Sequence, residues 1–137
     1  MSSTQAEHPT SGSKAAAISN MVVRTMSEYT GRGPTKARAY ITGDLVTVVL
    51  QDTLTKGERS LVEDGREELV LNTRKAFQAT MRHDLIDGVQ EILGRTVLAF
   101  MSDNHIDPDV AAETFVLAPD GARAQEEERL ANARSFE

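Results

Sequence analysis

The segment from Ser102 to Asp109, with the sequence SDNHIDPD, places three aspartates and one histidine within eight residues. Neutral imidazole and carboxylate groups can bind divalent cations, and a carboxylate can also orient a histidine for proton transfer. These residue types indicate a metal site or an acid–base pair as the candidate chemistry. Arg32 is a plausible basic partner for this acidic segment, and Glu113 follows it closely along the chain.

Turn formation explains much of the same segment. Asp107 followed by Pro108 predicts a helix N-cap with proline at the first helical position, beginning one helical turn. Asp103 and Asn104 commonly form turns by bonding their own backbone, and the spacing differs from that of a calcium-binding loop. Ser102 has no nucleophile elbow around it. We therefore predict no catalytic residue, no metal and no cofactor, and the histidine remains without a structural explanation.

The composition restricts the function classes. A chain of 137 residues with 39% hydrophobic and 26% charged residues suits one folded domain. The net charge of −6 argues against nucleic-acid binding, which needs a basic face. The absence of cysteine excludes disulfides and thiolate metal sites. No apolar run is long enough to span a membrane, and the N-terminus lacks a signal sequence, so we expect a cytoplasmic protein.

The first half of the chain predicts a tail, a helix and a hairpin. Residues 1–12 are rich in Ser, Thr and Gly and are expected to be disordered. Ser13 is the predicted N-cap of a helix over residues 14–29, which ends at the GRGP sequence. Residues 36–42 alternate in polarity, and Gly43-Asp44 predicts a type II′ turn. That turn pairs three apolar residues with apolar residues: Ile41 with Val46, Ala39 with Val48, and Ala37 with Leu50.

A long helix is predicted in the middle of the chain. Thr55 and Glu58 match a capping box for a short helix over residues 56–64, and Gly65 separates it from a helix over residues 66–93. One continuous helix is the alternative. Seven positions of the long helix recur at three- or four-residue spacing on one face: Leu69, Thr73, Phe77, Met81, Leu85, Val89 and Ile92. The helix would be roughly 40 Å long, whereas strands usually span about 20 Å. We therefore expect part of this face to meet a second subunit.

Two further strands complete the predicted fold. The third strand, near residues 97–101, is apolar on both faces, which indicates a central strand or one covered by a partner. The fourth is expected near residues 112–118, and residues 120–137 form a C-terminal helix or tail. The prediction is an α+β domain over residues 13–119 in the order α-β-β-α-β-β. It is a two-layer sandwich with an antiparallel four-stranded sheet and a long helix, and it forms a homodimer.

Several segments together resemble the MpsC family: TGRGP at 30–34, LTKGERSL at 54–61, FQATM at 77–81, GRTVLAF at 94–100 and SDNHIDPDVAAETFVL at 102–117. The most specific part is S-D-x-H-x-D-P-D followed by E-x-F-V-L. The family takes its name from a bacterial sodium-translocating system that generates a membrane potential. The resemblance covers about residues 13–119. It implies a bacterial, cytoplasmic protein whose ion-translocating partners lie in the membrane, and it supplies no catalytic residues.

We therefore expect a non-enzymatic accessory or regulatory protein that docks to a membrane-protein partner without inserting into the bilayer. The alternative is a small-ligand or metal-sensing domain that uses the segment from Ser102 to Asp109. Under either hypothesis, the candidate binding residues are Arg32, Asp103, His105, Asp107, Asp109 and Glu113.

Overall fold

The computed structural model describes residues 11–120 and 128–133. Within residues 11–117 the elements are α1 (Ser11–Thr30), β1 (Lys36–Thr42), β2 (Leu45–Gln51), α2 (Lys56–Glu63), α3 (Glu67–Leu93), β3 (Val97–His105) and β4 (Val110–Leu117). The strands form one antiparallel sheet in the order β1-β2-β4-β3. The predicted α+β class with a four-stranded antiparallel sheet is confirmed.

The first hairpin has the predicted register. Ile41 is opposite Val46, Ala39 is opposite Val48, and Ala37 is opposite Leu50. Gly43 has a φ of +58°, which glycine adopts without strain and which the predicted turn requires at its first central position. The turn residues and the apolar pattern therefore specify the same strand register.

The hydrophobic core lies between the helices and one face of the sheet, which we call the inner face. Val46, Val48 and Phe115 on this face are fully buried. The helices contribute further buried residues to the same cluster: Ile18, Met21, Val22, Met81, Leu85 and Val89. A side chain at Gly88 would meet the Met21 sulfur at 2.6 Å, so the glycine lets α3 approach α1 closely. The two helices therefore form one layer and the sheet forms the other.

The helix boundaries follow the local capping signals. Thr55 accepts a hydrogen bond from the Glu58 backbone, and the Glu58 carboxylate accepts one from the Thr55 backbone, which confirms the capping box. Gly65 separates α2 from α3 with a φ of +76°. Gly94 ends α3 in the left-handed conformation, with its N–H bonded to the Gln90 carbonyl. The predicted two-helix arrangement is confirmed to within a residue at each end.

The start of α1 differs from the prediction. The helix already includes Ser11 and Gly12, so Ser13 lies inside it and is not the N-cap. Serine is tolerated within a helix at small cost, so an N-cap signal does not oblige a helix to begin there. The rest of the predicted N-terminal tail, residues 1–10, lies outside the described residues.

The predicted apolar stripe of α3 divides into two halves. Met81, Leu85 and Val89 are buried as expected, whereas Leu69 is 48% exposed and Phe77 is 40% exposed. In the first half of α3 the buried positions are Val70 and Gln78, with Arg74 between them. Because a helix has 3.6 residues per turn, a stripe followed at fixed spacing drifts around its surface. The predicted stripe therefore leaves the core in the first half of the helix.

The third strand is an edge strand, so its predicted central position is wrong. A register shift between Val97 and Ala99 also breaks the predicted alternation. Val97 is paired with Leu117, whereas Ala99 and Met101 belong to the opposite, outer face. The alternative explanation of its two apolar faces, cover by a partner, stays a prediction.

The β3–β4 hairpin also corrects the description of its connection. Residues 102–105 belong to β3, and β4 begins at Val110, so the loop is only residues 106–109. Asp107 and Pro108 are joined by a cis peptide bond within this turn, and they begin no helix. Residues 106–109 instead form the turn that connects the paired residues His105 and Val110.

Among the described residues, no helix combines the length and apolar character needed to cross a membrane. Residues 128–133 are helical, and all six are exposed. The remainder of the predicted C-terminal helix or tail, apart from Asp120, lies outside the described residues.

Candidate functional site

The segment from Asp52 to Thr55 joins β2 to α2, and several charged side chains converge on it. Arg32, just after α1, donates hydrogen bonds from its guanidinium to the Asp52 carbonyl at 2.8 Å and the Leu54 carbonyl at 3.1 Å. It also donates to the Asp52 carboxylate at 3.0 Å. The GRGP sequence that ends α1 therefore places an arginine against the end of β2.

Asp52 is held in an unusual backbone conformation, with a φ of +55°. Its carboxylate accepts hydrogen bonds from the Thr35 hydroxyl at 2.9 Å and from Arg59. The Thr35 hydrogen bond and the charges of Arg32 and Arg59 lower the pKa of Asp52, although partial burial opposes them. Aspartate tolerates the left-handed region better than most residues, and these contacts stabilise it there.

Asp109 connects the β3–β4 hairpin to the same segment. Its carboxylate accepts hydrogen bonds from the Thr53 hydroxyl at 2.7 Å and the Leu54 backbone N–H at 2.9 Å. Burial alone would raise the pKa of Asp109, but these hydrogen bonds outweigh it and the pKa is lowered. Asp109 therefore holds the linker between β2 and α2 against the start of β4.

Arg74 and Glu58 form an ion pair whose side chains are only 14% and 19% exposed. The Arg74 guanidinium also donates to the Thr53 carbonyl at 2.7 Å and to the Asn104 side chain at 3.2 Å. Hydrogen bonds from Arg74 and Thr55 lower the pKa of Glu58 against the opposing effect of burial. We call Arg32, Arg59, Arg74 and Asp109 the clamp, because all four bind the segment from Asp52 to Thr55.

A cavity of about 230 Å³ lies beside the clamp, between the first half of α3, the end of α1 and the sheet. Its apolar walls are formed by Met26, Pro34, Leu50, Phe77, Met81 and Ala111. Its polar walls include Arg32, Thr53, Glu58, Arg74, Gln78 and Asn104. The arginines and Glu58 are already paired, so the cavity offers mainly apolar contact together with the Gln78 and Asn104 side chains. Such a site fits a small apolar group better than a free ion.

A buried polar pair lies next to the cavity. Glu113 is fully buried in the middle of β4, directly opposite Ser102 of β3. Within the described residues, neither carboxylate oxygen of Glu113 nor the Ser102 hydroxyl has a hydrogen-bond partner. Burial raises the pKa of Glu113 to about 7, and the nearby Ser102 hydroxyl and Arg74 charge offset only part of that increase. Desolvation disfavours the charged carboxylate, so Glu113 is largely protonated below neutral pH.

Two side-chain contacts show how α3 runs along β3. Arg74 contacts Asn104, and Arg82 donates to the Phe100 carbonyl, so α3 runs antiparallel to β3. Four helical residues rise about 6 Å and two strand residues about 6.7 Å, so the two elements stay in step. Gln78 stands midway between the two arginines on α3. It is buried and also lines the cavity.

The six residues proposed from the sequence do not form one site. Arg32 and Asp109 both bind the segment from Asp52 to Thr55, and Glu113 lies in the core. Asp103 and His105 belong to the outer face of the sheet, and Asp107 lies in the exposed turn. The His105 Nδ1 atom lies 2.8 Å from the Pro108 carbonyl, so its ring bonds within its own hairpin.

A metal centre built from these residues finds no support in their positions. Across residues 11–120 and 128–133, no group of three or more histidine, aspartate or glutamate side chains could hold a metal ion. Side chains of adjacent strand residues point to opposite faces of a sheet. Glu113 therefore faces the core, whereas Asp103 and His105 face outward, although all three are close in sequence.

Sequence reasoning missed Arg74, Asp52 and Arg59 as members of the site. Arg74 had a usable signal, since it stands four residues after Val70 and four before Gln78, on the buried side of α3. A charged residue on a buried helix face usually has a charged partner, and Glu58 was already assigned to a cap. Asp52 had no comparable signal, because its role depends on three separate elements.

Comparison with known protein families gives a match over most of the chain. The profile of a family described as "MpsC: Na+-translocating membrane potential-generating system" matches residues 10–119. No curated protein and no solved structure matches the chain.

Proposed function

Because this chain belongs to the MpsC family, we propose that it is a non-enzymatic bacterial accessory or regulatory protein that docks to a membrane-bound component of a Na⁺-translocating system. The family description supplies the system. The clamp residues are engaged with the protein's own backbone and with each other, which suits a structural role better than chemistry on a substrate.

The surface we assign to docking is the groove over the cavity, lined by the exposed face of α3. The observation that carries the proposal is the exposure of Phe77 and Leu69, two large apolar side chains on a helix whose second half is packed in the core. Phe77 and Thr73 also line the cavity below. An apolar side chain from a partner would fill this cavity and cover Phe77, in the manner of a helix or loop packed into a groove.

The charge around the groove favours a protein partner over a lipid surface. Exposed acidic residues at 63, 64, 67 and 68 stand at the junction of α2 and α3, where Arg66 pairs with Asp64 and leaves an acidic excess. The cytoplasmic leaflet is negatively charged and attracts basic segments, so it would repel this junction. A basic loop of a membrane protein is the complementary partner.

A pull-down from native membranes tests this proposal with two matched variants. Phe77→Asp introduces a charge into the groove, whereas Ala79→Asp introduces the same charge at an exposed position outside the cavity. We expect the wild type and Ala79→Asp to recover the same integral membrane protein and Phe77→Asp to lose it. Recovery of no membrane protein by the wild type, or equal recovery by both variants, would refute the docking surface.

The cavity supports a second candidate function, the binding of a small ligand. The ligand site would be the cavity itself, with Arg32 and Asn104 in its wall, and not the whole segment of residues 102–109. A thermal-shift screen of small apolar and amphipathic metabolites tests this, because a ligand that binds only the folded state raises the melting temperature. Ligand sensing would require a shift that Phe77→Asp abolishes. If no compound raises the melting temperature, docking of a partner side chain explains the cavity better than ligand binding does.

A further inference from the structure

The outer face of the sheet is covered by no helix among the described residues. Both α1 and α3 contribute to the core on the inner face, and residues 128–133 are exposed. Three large apolar side chains of the outer face are open to solvent: Tyr40 at 50%, Leu45 at 43% and Met101 at 52%. A solvated face of an antiparallel sheet is usually polar, so this composition calls for a physical explanation.

The strand register arranges the outer face in rows that cross all four strands. Arg38 is opposite Val49, Val49 is opposite Ala112, and Ala112 is opposite Asp103. The next row along the strands runs from Tyr40 through Thr47 and Thr114 to Met101.

The charges on this face lie only at its edges. The two central strands contribute uncharged residues: Leu45, Thr47, Val49, Gln51, Val110, Ala112, Thr114 and Val116. The β1 edge is basic, with Lys36 and Arg38, and the β3 edge carries the acidic Asp103 together with His105. An apolar centre with a charged rim is the usual composition of a protein–protein interface.

This arrangement is self-complementary under a two-fold axis that runs along the strands between β2 and β4. Such an axis places β1 of one copy over β3 of the other and keeps every row in place. Arg38 then faces Asp103 of the second copy, and the symmetry repeats that pair. Tyr40 faces Met101 of the second copy. A two-fold axis perpendicular to the strands would instead place the Arg38–Asp103 row of one copy over the Tyr40–Met101 row of the other. Neither Arg38 nor Asp103 would then face an opposite charge.

The dimensions of the face suit this arrangement. Strands of seven to nine residues at about 3.3 Å each, spaced about 4.8 Å apart, give a face of roughly 23 Å by 19 Å. Two copies with their side chains would bury on the order of 1,200 Å², the lower end of stable interfaces. Aligned sheets cross at about 30°, which displaces the edge strands by only about 4 Å and stays within the reach of an arginine.

We propose that a second copy of this chain packs on the outer face, sheet against sheet, and that reciprocal pairing of Arg38 with Asp103 fixes its orientation. This inference does not depend on the docking proposal, since it uses the opposite layer of the protein. One apolar face of β3 then packs in the core, and the other packs against the second copy.

Charge reversal with mass measurement tests the arrangement in the full chain. Light scattering after size exclusion at micromolar concentration should give twice the 15.0 kDa of the chain for the wild type. Arg38→Asp and Asp103→Arg should each weaken the dimer at least tenfold, because each places like charges together twice across the interface. The double variant should restore it. Arg24→Asp, an exposed charge reversal on α1, should leave the dimer unchanged.

Circular dichroism and thermal unfolding check that each variant is folded. Both reversed residues are exposed, so we expect the variants to fold like the wild type. A monomeric wild type would overturn the proposal. A dimer that survives both single reversals, or one that the double variant fails to restore, would also overturn it.

Discussion

Glu113 lies directly opposite Ser102 in the middle of the β3–β4 pair, and their buried polar oxygens have no hydrogen-bond partner within the described residues. Along β4, Glu113 lies between Phe115 of the core and Asp109 of the clamp. A protonated carboxyl group is far less costly to bury than a carboxylate. The protonation of Glu113 therefore links the stability of the core to pH.

The first prediction concerns Glu113→Gln. The pKa of Glu113 is raised from 4.5 to about 7 in the folded state, so the unfolded chain releases the proton first as pH increases. The wild type should lose roughly 3 kcal/mol of stability between about pH 4.5 and pH 7 from this group, and the glutamine variant should not. Urea unfolding at pH 4.5 and pH 8 measures the difference.

Glu28→Gln, which removes an exposed carboxylate on α1, is the matched control and should show the pH dependence of the wild type. Equal stability of the wild type and Glu113→Gln at pH 8 would mean that Glu113 has a partner for its charge.

The second prediction concerns Asp109→Ala. This change leaves the Thr53 hydroxyl and the Leu54 N–H without their acceptor, and each is partly buried. We expect a loss of about 1–3 kcal/mol in the free energy of unfolding. Because the pKa of Asp109 is lowered, its contribution is present above the ordinary carboxyl pKa and disappears as pH falls through the folded value. Asp107→Ala, in the exposed turn, should change stability by less than about 0.5 kcal/mol.

The third prediction concerns His105. Its ring is exposed and bonds to the Pro108 carbonyl, so His105→Ala should lower stability by no more than about 1 kcal/mol. Calorimetric titration of the wild type with zinc or manganese should show no saturable binding. Tight binding abolished by His105→Ala would restore the metal hypothesis for this hairpin.

The fourth prediction concerns the sheet-to-sheet dimer and uses the absence of cysteine. In Tyr40→Cys/Met101→Cys the two thiols of one chain lie three strand spacings apart, about 14 Å. In the proposed dimer, the thiol at position 40 of one copy faces the thiol at position 101 of the other copy. A short thiol-specific cross-linker should therefore give a covalent dimer on a denaturing gel with the double variant, whereas each single variant should stay monomeric. A dimer in solution without this cross-link would place the interface elsewhere.

Local signals predicted the local structure well. The Gly43-Asp44 turn, the Thr55–Glu58 capping box and the Gly94 cap each involve residues close in sequence, so their energetics are present in the sequence itself. The same reasoning failed at Ser13 and Pro108. At Ser13 the helix extends through the predicted N-cap, and at Pro108 a four-residue turn between β3 and β4 replaces the predicted helical turn.

The candidate site could be predicted only in part, because its contacts join residues far apart in sequence. Arg32 and Asp109 were identified, but their targets in the segment from Asp52 to Thr55 were not. Glu113 was identified as part of an acidic cluster, whereas strand alternation places it in the core, away from Asp103 and Asp107.

The sequence alone determined the secondary structure, the α+β class and the family of this protein, because capping, turn geometry and periodic burial act over a few residues. Tertiary structure decided which residues meet. It set the strand order, brought the distant side chains of Arg32, Arg74 and Asp109 onto one linker, and buried Glu113 in the core. It also aligned Arg38 with Asp103 across the sheet. Pairing of strands distant in sequence depends on packing over the whole core, and no local pattern records it.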